Sequence, residues 1–168
     1  MTESDFEITP LGKQNRTDFS CGQDALDRYF KTQVTQDVRR RVSACYIALD
    51  NKTGAVAGYY TLSAADIPIS ALPADMVRRL PRYPTVPVAR IGRLAVDQRY
   101  QGTRLGGALL INAALRGARS EIAVFALIVD AKDDTAAAFY RHFGFSAFAS
   151  DTMQLAASLD TFRKLLTH

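Results

Sequence analysis

The stretch from Val88 to Arg116 most narrows what this chain can fold into. Val88–Val96 reads as a strand and a polar turn follows it. Gly102, Gly106 and Gly107 then open a helix running to about Arg116. Within it Leu105, Leu109 and Ala113 share one face, with Ala108, Ile111 and Leu115 beside them. The same pattern recurs downstream. Ile122–Val129 is almost wholly apolar and β-rich, which predicts a central strand buried on both faces. Asp133 or Asp134 is placed to cap a short helix through His142, and Gly144 to end it at C′. Strands alternating with helices in this way imply a sheet with parallel members.

The rest of the chain makes that sheet mixed. Phe6–Leu11 reads as a first strand. Ser20 to about Arg40 reads as two helices or one broken helix, with Ser20 as cap and Gln23 completing a capping box. Leu26, Tyr29 and Phe30 then fall on one face. Ser43–Leu49 and Ala55–Ser63 form a β-hairpin about the turn Asn51–Gly54. Five of the six prolines lie between Pro68 and Pro87. That density predicts an irregular crossing over 64–86, with a short helix near Ala74–Leu80. Phe145–Ala149 and Thr152–Ala156 are short strands, and Leu159–Leu166 is a small helix. The expected fold class is α/β (α+β): one domain over 1–168, a mixed central sheet flanked by helices, in the order β-α-α-β-β-β-α-β-α-β-β.

Charge is unevenly spread. The net charge is +4, but Arg78–Arg104 holds seven arginines (78, 79, 82, 90, 93, 99 and 104) against the single acid Asp97. A second basic cluster runs from Lys13 to Arg41. Arginine at this density suits phosphate-rich partners, since guanidinium binds phosphate bidentately; the alternative is a solvated basic face. No stretch approaches the roughly 18 apolar residues of a membrane span. Met1–Asp5 is polar and acidic, unlike a secretory signal. Cys21 and Cys45 make no disulfide framework, which points to the reducing cytoplasm. His142 and His168 are too few for a usual zinc site, so no metal is expected.

Two places carry chemistry. At Gly102, Gly106 and Gly107 the backbone can approach a ligand closely, and the free amides of a helix N-terminus attract a pyrophosphate; otherwise this is a tight turn that only packs. No Walker or dinucleotide fingerprint fits the glycine spacing. Downstream, the alanine-rich run Ala136–Phe145 lets its helix lie close to a neighbour. Tyr140 there either offers a phenolic proton or is a core aromatic with a satisfied hydroxyl.

Taken together and in order, these segments resemble the GNAT (Gcn5-related) N-acetyltransferases along nearly the whole chain. Arg90–Asp97 followed by Gln101-Gly102-Thr103-Arg104-Leu105-Gly106 is similar to the family's Q/R-x-x-G-x-G/A acetyl-CoA motif. Ala138–Phe145 is similar to its tyrosine-bearing helix and next strand. Arg104 departs from the pattern where glycine is usual; a helical backbone and an added phosphate contact are expected there. A narrower resemblance is to the GNAT toxins of toxin–antitoxin modules. It is carried by Phe19–Gly22 with Leu26–Phe30, by Val56–Ser63 and by the proline-rich approach to Ile91–Asp97.

The resemblance implies acetyl-CoA as cofactor, held by Leu94, Ala95, Val96, Gln101, Gly102, Thr103, Arg104, Leu105, Gly106, Gly107 and Phe139. Amides near Leu94–Val96 would stabilise the oxyanion, and Tyr140 would protonate the departing thiolate. It implies acetylation of the α-amine of aminoacyl-tRNA, which blocks translation. Arg78, Arg79, Arg82, Arg90 and Arg93 would then meet tRNA phosphates. Implied partners are a ribbon-helix-helix antitoxin, promoter DNA through that antitoxin alone, and a second copy in a dimer, in the cytoplasm and off the membrane. Two other readings stay open: acetylation of a protein N-terminus or small amine, and a non-catalytic acyl-CoA or nucleic-acid-binding module.

Overall fold

In the computed structural model, which describes residues 5–148 and 151–166, seven strands hydrogen-bond in the order β1-β2-β3-β4-β5-β7-β6. Met1–Ser4, Ala149 and His168, on which the sequence reading also drew, lie outside the described residues. The strands are β1 Phe6–Pro10, β2 Ala44–Asp50, β3 Val56–Pro68, β4 Thr85–Val96, β5 Ala126–Asp130, β6 Ser146–Phe148 and β7 Asp151–Ser158. The helices are α1 Asp24–Thr32, α2 Val34–Arg39, α3 Ala74–Val77, α4 Leu105–Ala118, α5 Asp134–His142 and α6 Leu159–Leu166. The mixed α/β architecture is the expected one. The chain divides into two compact units, Met1–Ser63 with Gly92–Ala113 and Ala64–Ile91 with Ala114–His168.

In the first unit β1, β2 and β3 form an antiparallel meander. The hairpin turn is held by Asp50, whose Oδ1 accepts the Lys52 amide at 2.9 Å. Gly54 follows at φ +74°, which is why glycine stands there. The core is aromatic. Phe30 of α1 stacks on Tyr59 of β3 at 4.1 Å and 3°, and Phe19 meets both edge-on. Such pairs add about 0.5–1.5 kcal/mol each beyond the area they bury. Leu26, Tyr29 and Phe30 share the packed face of α1 as their spacing predicts. The capping box does not form. The N-cap is Gln23 and makes no side-chain cap bond. The Ser20 amide donates instead to Asp97 Oδ2, 77 residues away (3.0 Å), and the Cys21 amide to Asp27 Oδ1 (2.9 Å). A long-range partner has claimed the Ser20 amide that Gln23 would have accepted in the capping box.

In the second unit β5 is the buried centre: Ala126, Leu127, Ile128 and Val129 are at most 2% exposed. It runs parallel to β4 over Val88–Ile91 and antiparallel to β7. The strand begins at Ala126 rather than Ile122, and Ile122 is 78% exposed. Its apolar character reflects no burial within this chain. β3 also runs on to Pro68 and β4 starts at Thr85, so the irregular crossing is shorter than 64–86. The prolines sit at its ends and within it. Asp133 caps α5 as expected, accepting the Ala136 amide at 2.8 Å, and Gly144 follows the helix at φ +94°. No helix among the described residues is long and apolar enough to cross a membrane.

Candidate active site

The turn between β4 and α4 lies in the first unit and is built by three successive devices. A 3-10 turn over Gln98–Tyr100 is capped by Asp97, whose side chain accepts the Arg99 amide at 2.9 Å. Gln101 then takes an extended backbone (φ −66°, ψ 145°) and Gly102 sits at φ +83°. The Thr103 hydroxyl donates to the Tyr100 carbonyl and closes the turn. The first helical bond of α4 runs from the Ala108 amide to the Arg104 carbonyl (3.2 Å). The amides of Gly102, Thr103, Arg104, Leu105, Gly106 and Gly107 therefore have no protein acceptor among the described residues. Gln101, Gly102 and Arg104 are exposed, and Gly106 and Gly107 are half-buried. Such a nest of amides at the positive end of a 14-residue helix has the chemistry to take an anion.

Asp97 anchors the turn from below and is 1% exposed. Burial opposes its charge. The Arg99 side chain and the Arg99 and Ser20 amides together outweigh that, so its carboxyl stays below the usual carboxylate range. Arg99 Nε lies 2.9 Å from Oδ1. Gln101 acts the same way: its Nε2 donates to the carbonyls of Cys21 and Val96, each at 3.1 Å. The side chain of Gln101 thus braces the turn.

Arg104 corrects one expectation. Its backbone is left-handed (φ +67°), not helical, and α4 starts one residue later, not at Gly102. A helix cannot run through two left-handed residues, Gly102 and Arg104. For a non-glycine residue that conformation costs about 1–2 kcal/mol. The guanidinium is exposed and has no partner among the described residues. We therefore expect Arg104→Gly to be more stable than Arg104→Ala by about 1 kcal/mol, since only the first relieves the backbone. Urea denaturation measures this, and equal stabilities would refute the assigned strain. Both variants should bind acetyl-CoA more weakly than the parent by calorimetry, through the lost cation.

On β4, Ala95 is buried and Leu94 and Val96 are half-buried. All three lie beyond Ile91, where the register with β5 ends. Arg93 is held rather than free. Its guanidinium sits 3.4 Å from the centre of the Tyr29 ring, and its amide donates to Thr61 Oγ1 at 3.0 Å. Tyr29 in turn donates to Asp37 Oδ2 at 2.6 Å.

In the second unit, α5 presents Tyr140, 7% exposed, with its ring against Phe139 (5.2 Å) and Phe145 (5.7 Å). Phe139 is half-buried. The Tyr140 hydroxyl has no hydrogen-bond partner among the described residues, so the reading of a satisfied core phenol does not hold. Burial pushes its pKa up to about 12. Arg78, Arg79 and Arg82 are exposed and form no salt bridge among the described residues. Arg90 is paired to Asp130 at 2.6 Å. The five arginines thus divide into three free ones and two engaged by the protein.

The family model for the acetyltransferase (GNAT) family matches residues 13–145, which span both the amide nest and Tyr140. The chain belongs to the GNAT acetyltransferase family. It is 33% identical over 152 residues to a tRNA-acetylating toxin of Mycobacterium tuberculosis (strain ATCC 25618 / H37Rv), covering 89% of each chain. It superposes on AtaT complexed with acetyl-methionyl-tRNAfMet at a TM-score of 0.87 and 26% identity, covering 96% of this chain and 99% of that one. A structure of AtaTR bound with AcCoA is similar at a TM-score of 0.83 and 26% identity, with 97% and 99% covered.

For this GNAT chain the sequence alone assigned no role at the site to Asp97, Thr61, Tyr29 or Asp130. Asp97 carried a usable signal as the lone acid among seven arginines. Such an acid is held for a partner. Thr61 and Tyr29 carried none, because their partner Arg93 is 32 residues or more away in sequence.

Proposed function

We propose that this GNAT enzyme is the toxin of a toxin–antitoxin module and transfers an acetyl group from acetyl-CoA to the α-amine of aminoacyl-tRNA. The observation that carries the reading is the run of six acceptorless amides over Gly102–Gly107, together with the relatives' printed activities. The residues fit the cofactor. Amides unmatched by protein acceptors suit diphosphate oxygens, and Arg104 adds a cation at the same mouth. Acetyl-CoA, when bound, supplies an activated acetyl thioester.

The chain's own residues do the rest. The nest would hold the diphosphate, and attack by an amine on a thioester so held is effectively unimolecular, which lowers a barrier by about 7–11 kcal/mol at best. Amides of Leu94–Val96 would stabilise the charge that develops on the thioester oxygen. Tyr140 holds its proton at neutral pH and offers it to the departing sulfur. No residue is assigned as general base. An α-amine has an ordinary pKa of about 7.7–8.0, and a neighbouring ester lowers it further, so much of it is already neutral. The side chain of lysine, at about 10.4, would need help that no assigned residue provides.

Arg78, Arg79 and Arg82 serve as phosphate contacts, whereas Arg90 and Arg93 act within the protein. A single N-acetyltransferase domain over 1–168, a cytoplasmic location, a ribbon-helix-helix antitoxin that alone carries the complex to promoter DNA, and a homodimer belong to the same reading. Mass spectrometry of total tRNA after brief expression tests it: acetylated aminoacyl ends are expected, and their absence from active protein would sink it. If exposed arginines hold the phosphates, KM for aminoacyl-tRNA should rise steeply between 50 and 200 mM salt, by about tenfold per two contacts. A flat response would remove them from the interface.

A further inference from the structure

We infer that Thr61 is a positioning residue for acetyl transfer, one that sets the Leu94–Val96 peptides by capturing the Arg93 amide; this rests on the acetyltransferase reading above. β3 and β4 are neighbours in the sheet, and the Asp97 amide donates to the Ala57 carbonyl at 2.8 Å. Antiparallel steps along both strands from that bond bring Arg93 opposite Thr61. The Arg93 amide donates to the Thr61 hydroxyl oxygen at 3.0 Å. A side chain thus holds the main chain one residue before Leu94.

Three further observations fit a main chain held at this point. Thr61 is 1% exposed, one of few buried polar residues on β3. A Cβ at Gly92 would stand 3.0 Å from Thr61 Oγ1, so glycine leaves the hydroxyl its place. Arg93 is also fixed at its far end, under the Tyr29 ring that α1 supplies and Asp37 holds. The main chain entering Leu94 is therefore set by one hydroxyl and one ring. Neither touches a substrate. Donors to a developing oxyanion lose most of their effect when displaced by a fraction of an ångström.

The test is Thr61→Val, which keeps the shape and removes the acceptor, beside Thr61→Ser, which keeps the acceptor. Two rates are read as free thiol: transfer to aminoacyl-tRNA, and slow hydrolysis of acetyl-CoA by water, which needs the same amides but no acceptor amine. Thr61→Val should lower both by about 10- to 100-fold, with the Kd for acetyl-CoA within about threefold, and Thr61→Ser should recover most of each. Rates unchanged in Thr61→Val, or a loss seen only as weaker acetyl-CoA binding, would overturn the inference. If Thr61→Val does not fold, Thr61→Cys, whose thiol is a poor acceptor, takes its place under the same criteria. Should the parent hydrolyse acetyl-CoA yet leave aminoacyl-tRNA untouched, the substrate reading fails while hydrolysis still decides the role of Thr61. A parent that releases no thiol at all overturns both.

Discussion

Tyr140→Phe is expected to lower kcat by about 100-fold or more while leaving the Kd for acetyl-CoA within about twofold. The change removes one oxygen and keeps the ring against Phe139 and Phe145. It strands no protein group, because the hydroxyl has no partner among the described residues. The melting temperature should therefore hardly move. Burial raises the phenol to about 12, so the group stays protonated through the whole assay range. That widens its mismatch with a thiolate whose pKa is near a cysteine's, about 8.5. On the proposed mechanism Tyr140 would accordingly act as a hydrogen-bond donor to the sulfur as charge builds, and complete the transfer late. No descending limb from its ionisation should appear in the kcat profile below about pH 10, because its proton is lost only near the raised value. Stopped assays of thiol release with parent and variant decide the matter. Full turnover in the variant would retire Tyr140 as the acid.

Gly106→Glu should raise the Kd for acetyl-CoA by about 100-fold without cost to folding. Two effects of opposite sign separate here. A carboxylate in the first turn of a helix gains about 0.3–1 kcal/mol from the dipole, and glutamate gains a further ~0.5–1 kcal/mol over glycine in helix propensity. The free protein should be as stable as the parent, or more so. The same carboxylate stands at the mouth of the amide nest, where a diphosphate would have to sit. Like charges about 4 Å apart oppose one another by roughly 1–4 kcal/mol between water and a protein surface. Calorimetric titration with acetyl-CoA, beside thermal denaturation, reads both effects. An unchanged Kd in a folded variant would mean that the diphosphate lies elsewhere.

Much of this was legible in the sequence because it is local. The amphipathic face of α1, the hairpin about Gly54, the Asp133 cap and the glycine after α5 each depend on residues a few positions apart. The buried centre of β5 was legible too, since four apolar residues in a row leave a strand few other places. The failures share a cause. Ser20 reads as a helix cap until Asp97 takes its amide from 77 residues away. Ile122 reads as strand by composition alone, yet is 78% exposed. Arg104 reads as helical because left-handed backbone is rare for arginine, and no local residue announces the +67° it adopts. Residues at the candidate site behaved likewise. The glycines and Tyr140 stood out by type, whereas Thr61, Tyr29 and Asp97 matter only through what the fold brings to them.

Ser20 and Cys21 are stitched to the turn between β4 and α4, and this decides how that turn opens. The Ser20 amide donates to Asp97, the Gln98 amide to the Ser20 carbonyl, and the Gln101 side chain to the Cys21 carbonyl. Two segments almost 80 positions apart therefore fray as one cooperative unit. Any force or binder that peels the chain away ahead of α1 would slacken the amide nest proposed to hold the cofactor, with no contact to the nest itself.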